Sequence, residues 1–166
     1  MNNIVLLILL ILLGGAGLIS IFTIINLLLP TFVEQTRSIL ETSPGRSLLL
    51  GLVNFIFAVV AISLLLWATR VGSIVAGISV FFAGLVGLAF TGLLLLGLVS
   101  AASLLGIRTG ETKSVVGTYL RGGGILLLAC LTPFLGWFVF TPLVVWTTLG
   151  AAIQTILHRQ RTPAPT

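Results

Sequence analysis

The amino-acid sequence predicts an all-α integral membrane protein with about four transmembrane segments and one short interfacial amphipathic helix. Hydrophobic residues make up 58% of the 166 residues and charged residues only 7%, whereas soluble domains carry about 25% charged residues. The apolar residues fall in four long blocks, and the basic residues stand at the ends of these blocks. Because the connections between blocks are short, we expect one polytopic membrane domain over residues 1–166.

The first apolar block, residues 4–29, contains no charged residue. About 20 apolar residues suffice to cross a bilayer core about 30 Å thick, so this block predicts the first transmembrane helix. A cleaved signal peptide is the alternative. However, only Asn2 and Asn3 stand where basic residues are expected, and the block is longer than the ~7–15 apolar residues of a signal peptide. We therefore expect an uncleaved membrane anchor.

Residues 31–43 predict a short amphipathic helix that lies in the plane of the lipid headgroups. A proline ends the first block, and Thr31 with Glu34 has the spacing of a capping box. The apolar residues fall on one face, while Glu34, Arg37 and Glu41 form pairs of opposite charge on another. Because the stretch is short, a solvated connector remains an equally open interpretation.

The second block, residues 48–69, predicts a transmembrane helix flanked by Arg46 and Arg70. Asn54 is the one strongly polar residue within this block. We expect its side chain to hydrogen-bond a neighbouring helix, since polar side chains commonly join helices in lipid. A ligand contact is the alternative role.

The third block runs from residue 71 to 107 without a charge, which is too long for one ordinary span and short for two. We expect a tilted helix over 76–107, preceded by a re-entrant or interfacial piece at 71–79. Small side chains let a neighbouring helix approach closely. The predicted helix-packing residues are Ala83, Gly84, Gly87, Gly92 and Gly97. The alternative is that glycine is simply frequent in membrane helices.

The fourth block, residues 122–157, contains a predicted helix break at Pro133, Gly136 and Trp137. Proline interrupts a helix, glycine permits a turn, and tryptophan favours the membrane interface. The block is therefore either a broken or re-entrant hairpin or a single kinked helix, and a short tail over 158–166 follows it.

The distribution of basic residues favours the hairpin. In that arrangement Arg70 stands alone on one side of the membrane. Seven basic residues stand on the other side: Arg37, Arg46, Arg108, Lys113, Arg121, Arg159 and Arg161. A single crossing would divide the basic residues five against three. The positive-inside rule then predicts that the seven contact cytoplasmic lipid headgroups, with the N-terminus outside and the tail in the cytoplasm.

The sequence contains no constellation that predicts catalysis, a cofactor or a metal site. No Asp, Lys or Arg lies within the apolar blocks, although pumps and ion-coupled transporters carry ionisable residues there. His158 would need two or three further ligands to hold a metal, and Cys130 is expected to be a packed small hydrophobe. The glycines at 122–124 lack the phosphate-loop pattern. Since the basic residues are scattered, we expect no nucleic-acid partner, and the sequence identifies no small-molecule substrate.

Three stretches of the sequence combine polar motifs with apolar runs: LPTFVEQTRSILETSPGRSLLLGL, a later apolar stretch that ends in LGIR, and LTPFLGWFVFTPLVVWTTLGAAI. Together they resemble the membrane region attached to some bacterial bactofilin-type, polymer-forming cytoskeletal proteins. In that family a helix is followed by a basic amphipathic segment, a P-x-R-S-L-L-x-G entry and a late P-x-x-G-W break. This sequence lacks the polymerising β-helical domain, so the resemblance implies a membrane module without its filament.

Two classes of function remain. The first is a non-catalytic accessory or scaffolding subunit of a larger complex in the bacterial cytoplasmic membrane, for example an energy-transducing, electron-transfer complex. Its expected partners are membrane lipids and other integral membrane subunits. The second is a pore or a lipid- or quinone-binding module formed between the third and fourth blocks. A membrane anchor for a bactofilin-type system is a further alternative, which the resemblance implies.

Overall fold

The computed structural model of the chain describes residues 2–110 and 114–161. Every regular element in these ranges is helical, which confirms the predicted all-α fold. In chain order the elements are α1 (Asn2–Leu28), α2 (Pro30–Thr42), α3 (Pro44–Ala68), α4 (Ser73–Arg108), α5 (Val115–Leu131), a π-helical segment (Gly136–Phe140) and α6 (Thr141–Arg161).

Three stretches of helix are long and apolar enough to cross a membrane, namely α3, α4 and the stretch Gly136–His158. A fourth candidate span is the bent pair formed by α1 and α2, and α5 is a shorter apolar helix. Large apolar side chains face outward along these helices, as Phe57 (72% exposed) and Ile74 (78% exposed) illustrate. Because soluble proteins do not expose large continuous apolar surfaces, the chain is a polytopic membrane protein.

A bend of 105° separates α1 from α2 and places α2 across the end of the helix bundle. The capping box predicted at Thr31 and Glu34 is wrong. Leu29 is the N-cap residue, Pro30 occupies the first helical position, and no side chain caps the helix. Proline suits that position because its missing N–H group would be unpaired there in any case.

The apolar face of α2 packs against α4 and α6. Phe32, Val33, Thr36 and Leu40 are buried along this face, as the amphipathic pattern predicts. A helix at a right angle to α1 has the direction of a helix in the membrane plane. The structure therefore contains the expected short amphipathic helix, and much of its apolar face covers protein.

The charged residues of α2 form one ion pair within α2 and one ion pair with α4. Arg37 Nη2 lies 3.9 Å from Glu34 Oε1, which is the predicted pair within the helix. Glu41 does not pair with Arg37. Its Oε1 instead lies 3.9 Å from Nε of Arg108, in the last turn of α4. The end of α4 is thus next to the end of α2.

α5 runs antiparallel to α4. Gly106 of α4 lies against Thr118 of α5, and Ala102 lies against Gly122. The residue number therefore falls along one helix as it rises along the other, which means that the start of α5 lies beside the end of α4.

α6 runs antiparallel to α3. Ser47 near the start of α3 lies against Gly150 of α6, and Gly51 lies against Trp146. Since α3 and α4 are joined by the short turn at 69–72, α4 runs back along α3. It follows that α5 and α6 point in opposite directions, so the fourth apolar block forms a hairpin and the single kinked helix is wrong.

The hairpin turns at residues 132–135, next to Pro133 as predicted. Phe134 has a φ of 64° and so supplies the left-handed conformation of this turn. Gly136 follows this turn as the first residue of the π-helical segment, and its φ does not lie in the left-handed region. A Cβ at Gly136 would lie 2.6 Å from the carbonyl oxygen of Ala129, so this position needs glycine for close approach. Trp137 is exposed on the outer surface.

α4 is one continuous helix from Ser73, and the separate piece predicted at 71–79 is wrong. Its 36 residues correspond to a length of about 54 Å, more than the ~30 Å that a bilayer core requires. The residues from Ser73 to Arg108 include no proline, so nothing in the backbone chemistry interrupts the helix.

These directions define two ends of the bundle. The packed end contains α2, the starts of α3 and α5, and the ends of α4 and α6. The open end contains the start of α1 and the turns at 69–72 and 132–135. A small core of Phe22, Val33, Val99, Ala102 and Tyr119 lies towards the packed end.

Candidate helix-packing and lipid-binding surfaces

Glycine and serine bring α3 and α6 into backbone contact at the packed end. A Cβ on Gly51 would overlap the carbonyl oxygen of Trp146, and a Cβ on Gly150 would overlap the carbonyl oxygen of Ser47. Ser47 and Gly51 are four residues apart, which is the small-xxx-small spacing of close helix pairs in membranes. Each helix therefore presents a residue that only a small side chain can occupy.

The same arrangement joins α4 to α5. A Cβ on Gly106 would overlap the carbonyl oxygen of Thr118, and a Cβ on Gly122 would overlap that of Ala102. Gly97, one of the predicted helix-packing residues, lies against α6, where its Cβ would be 2.9 Å from Cβ of Thr148. Three pairs of helices therefore approach each other closely at small residues, namely α3 with α6, α4 with α5, and α4 with α6.

The remaining predicted helix-packing residues lie between the open end of α4 and a point just past its middle. Ala83 is buried, with 9% of its surface exposed. Gly84, Gly87 and Gly92 have no neighbouring atom within 4 Å of where a Cβ would stand. Their small size is thus not required by contacts within the described part of this chain.

Sequence reasoning missed four residues of the close contacts, namely Gly51, Gly106, Gly122 and Gly150. A signal for three of them is present, because Ser47 with Gly51, Ala102 with Gly106, and Thr118 with Gly122 all have small-xxx-small spacing. That spacing marks a face that can approach another helix, but it does not identify the opposing helix.

Buried polar side chains connect α6 to α2 and to α3. Oγ1 of Thr36 and Oγ1 of Thr155 are 2.8 Å apart. Since Thr155 Oγ1 donates its one hydrogen to the carbonyl oxygen of Ala151, Thr36 is the donor in that pair. Nε2 of Gln154 donates to Oγ of Ser47 over 3.2 Å. These bonds hold α2 and the start of α3 on the end of α6.

The role expected for Asn54 is wrong. Its Nδ2 donates to the carbonyl oxygen of Leu50 over 2.8 Å, one turn earlier in α3 itself. An amide that bonds its own helix satisfies part of its hydrogen-bonding need without a partner helix.

An apolar cleft of about 560 Å³ lies between α1, α5 and the start of α6. Gly15 and Phe22 of α1 line it, together with Gly123, Gly124 and the half-buried Cys130 of α5. Such a volume is within the range of small-molecule pockets, about 300–1,000 Å³. A lipid-binding module was expected between the third and fourth blocks, whereas this cleft lies mainly between the first and the fourth, with Leu98 of the third block also in its lining.

The described basic residues fall mainly at one end. Arg37, Arg46, Arg108 and Arg121 belong to elements of the packed end, and the side chain of Arg121 reaches Gly110 just after α4.

Three further predicted basic residues are less completely described. The backbones of Arg159 and Arg161 lie in the last turns of α6, and their side chains lie outside the described atoms. Lys113 lies outside the described residues. Arg70 occupies the turn at the open end.

In residues 2–110 and 114–161 no three His, Cys, Asp or Glu side chains are grouped so that they could hold a metal ion. Comparison of the chain with models of known families, with curated proteins and with solved structures finds no match. The resemblance to bactofilin-type membrane regions therefore stays a prediction, and functional inference depends on the geometry.

Proposed function

We propose that this protein is a non-catalytic scaffolding subunit of a bacterial cytoplasmic membrane complex, and that the open half of α4 packs against another integral membrane subunit. One observation supports this role above the others. Gly84, Gly87 and Gly92 have free space around them, while Gly97 and Gly106 of the same helix lie against neighbouring backbones.

The physical reason is the way helices associate in lipid. There is no hydrophobic gain when two apolar helices meet in a bilayer, so close van der Waals packing at small residues drives association. Phe81 and Leu88 stand exposed beside Gly84 and Gly87. A groove of glycines beside large apolar side chains can accept the ridge of a second helix. An electron-transfer complex or a bactofilin-type assembly could supply that helix.

The test is to replace Gly87 with leucine in the full chain in its native membrane. Gly87→Leu is expected to move the protein from a large assembly to the free subunit on blue-native electrophoresis, because the longer side chain separates the two backbones. Gly17→Leu is the matched control, since Gly17 of α1 also has open space around it and lies on another helix.

Both variants should keep the thermal stability of the unaltered chain after purification. Migration of Gly87→Leu with the same large assembly as the unaltered chain would contradict the proposed face of α4.

A lipid-binding module is the second candidate, and the apolar cleft favours it. The cleft is lined almost entirely by apolar side chains, and its volume of about 560 Å³ lies within the range of small-ligand sites, about 300–1,000 Å³. A hydrocarbon tail matches this apolar lining. Gly124 lines the cleft and has open space around it.

Gly124→Phe should therefore fill the cleft and lower the amount of lipid that co-purifies with the protein, as measured by mass spectrometry. Gly14→Phe is the control, because Gly14 has open space and does not line the cleft. Equal lipid content in the two variants would contradict the lipid-binding role.

A further inference from the structure

A second and smaller cavity of about 190 Å³ opens at the packed end, between the start of α3 and the end of α6. Arg46, Gln154 and His158 line it together with Leu50 and Leu157. The geometry points to a binding site for the phosphate of an anionic membrane phospholipid, with the guanidinium of Arg46 as its main ligand. This site is separate from the apolar cleft and from the open half of α4.

The depth of the cavity in the membrane fits a phospholipid headgroup. Arg46 lies in the first turn of α3, and His158 ends the stretch of α6 that is apolar enough to span a membrane. Both residues are therefore at the boundary where headgroups stand. Leu50 lies one turn deeper in α3. A cavity with polar groups at the boundary and an apolar wall beneath them matches a phosphate that carries a hydrocarbon chain.

The charge of Arg46 is not neutralised by the protein where it is described. Glu34 pairs with Arg37 and Glu41 pairs with Arg108, so neither of these ion pairs involves Arg46. Among the described side chains, no acidic one lines the cavity. A guanidinium presents its N–H groups in a planar fork that matches two oxygens of a phosphate, so it binds this group well.

Gln154 supplies a fixed polar group inside the cavity. Its side chain is only 7% exposed, and Nε2 donates one hydrogen to Oγ of the fully buried Ser47. Since Ser47 is held by the backbone contact with Gly150, the amide position is set by both helices. The second hydrogen of that amide remains available to a phosphate oxygen.

The N-terminus of α3 adds to the attraction. No side chain caps this helix, and its first turn contains no acidic residue. The first N–H groups of a helix have no partner within the helix, and its dipole is positive at this end. Arg46 itself belongs to that first turn, so the helix dipole adds to the attraction that its guanidinium exerts on an anion at this end.

A lipid is favoured over a free anion because Leu50 and Leu157 share the cavity with the polar groups. Leu157 is half exposed beside His158, on the surface that continues into the apolar wall of α6. Inorganic phosphate would leave both leucines against water. The phosphate of a phospholipid would instead place its glycerol and first methylenes on them.

The experiment uses the full chain in detergent with equal amounts of phosphatidylglycerol and phosphatidylcholine, observed by native mass spectrometry. The unaltered protein should retain one phosphatidylglycerol in preference to phosphatidylcholine. Arg46→Gln should lower this retention at least fivefold. Arg70→Gln is the matched control at the open end and should retain the lipid unchanged. Gln154→Leu, which keeps the side-chain size, should lower retention by a smaller factor.

Equal retention by Arg46→Gln and the unaltered protein would overturn the site, as would an equal fall in Arg70→Gln. Displacement of the lipid by millimolar inorganic phosphate would show a free-anion site and would overturn the assignment to a lipid. If Arg46→Gln does not fold, the retention of phosphatidylglycerol by Gln154→Leu is the test. Retention equal to that of the unaltered protein would overturn the proposal.

Discussion

The two halves of α4 use the same residue in different ways. Near the packed end, Gly97 and Gly106 lie against the backbones of α6 and α5. Near the open end, Gly84, Gly87 and Gly92 have free space around them. Glycine spacing therefore indicates where a membrane helix can be approached closely, while the presence of a complementary helix decides whether it is approached within the chain.

The largest expected effect concerns which side of the membrane each end of the bundle faces. In a Cys130→Ala background, Gly72→Cys at the open end should react with a membrane-impermeant thiol reagent in intact cells. Ser43→Cys at the packed end should react only after the membrane is opened, because the arginines of that end are expected to face the cytoplasm.

The hairpin predicts the result for a third cysteine position in the same labelling experiment. α6 returns to the packed end, so a cysteine at Thr166, which lies outside the described residues, should be shielded like the one at Ser43. Labelling of the Thr166 cysteine in intact cells, with Ser43→Cys protected, would contradict the hairpin.

The next largest effect is the change in the free energy of unfolding when one methyl group is added to a glycine in each half of α4. Gly106→Ala should lower the free energy of unfolding by about 1–3 kcal/mol or more, because its Cβ overlaps the carbonyl oxygen of Thr118. Gly87→Ala is the matched control in the same helix and should be neutral, or stabilising by up to ~1 kcal/mol, since alanine favours a helix. Unfolding in mixed detergents measures both, and equal stabilities would remove the distinction between the halves.

The smallest effect concerns polar contacts. Thr36→Val removes the hydrogen bond to Thr155 and should lower the free energy of unfolding by about 0.6–1.7 kcal/mol. Thr91→Val is the control near the open end, where the hydroxyl bonds only the carbonyl oxygen of Gly87 in its own helix. This variant should change stability by less than ~0.5 kcal/mol, and a larger loss than that of Thr36→Val would be contrary to expectation.

The elements that could be predicted from the sequence depend on local composition. Apolar blocks predict spans because a bilayer requires a fixed length of apolar chain. The buried face of α2 follows from the helical period, and the break near Pro133 follows from the missing N–H group of proline. Each of these signals lies within a few turns of the residue that it concerns.

The pairing of helices could not be predicted, because it depends on residues far apart in the chain. Gly51 and Gly150 fit together across α3 and α6, yet each looks like any other glycine of a membrane helix. The same limit applies to Gln154, whose partner Ser47 precedes it by 107 positions. A single sequence contains no periodic signal for such contacts, so both lipid-binding candidates became visible only in three dimensions.

The hydrogen bond between Thr36 and Thr155 has a consequence for biosynthesis. The two residues are 119 positions apart, and a ribosome that adds about 5–20 residues/s needs roughly 6–24 s to travel from one to the other. During that interval α6 has not been synthesised, so the apolar face of α2 cannot pack against it. Phe32 and Val33 on this face can contact the membrane surface until α6 is made. Although α2 emerges before α6, it can reach its final position only after α6 has been made.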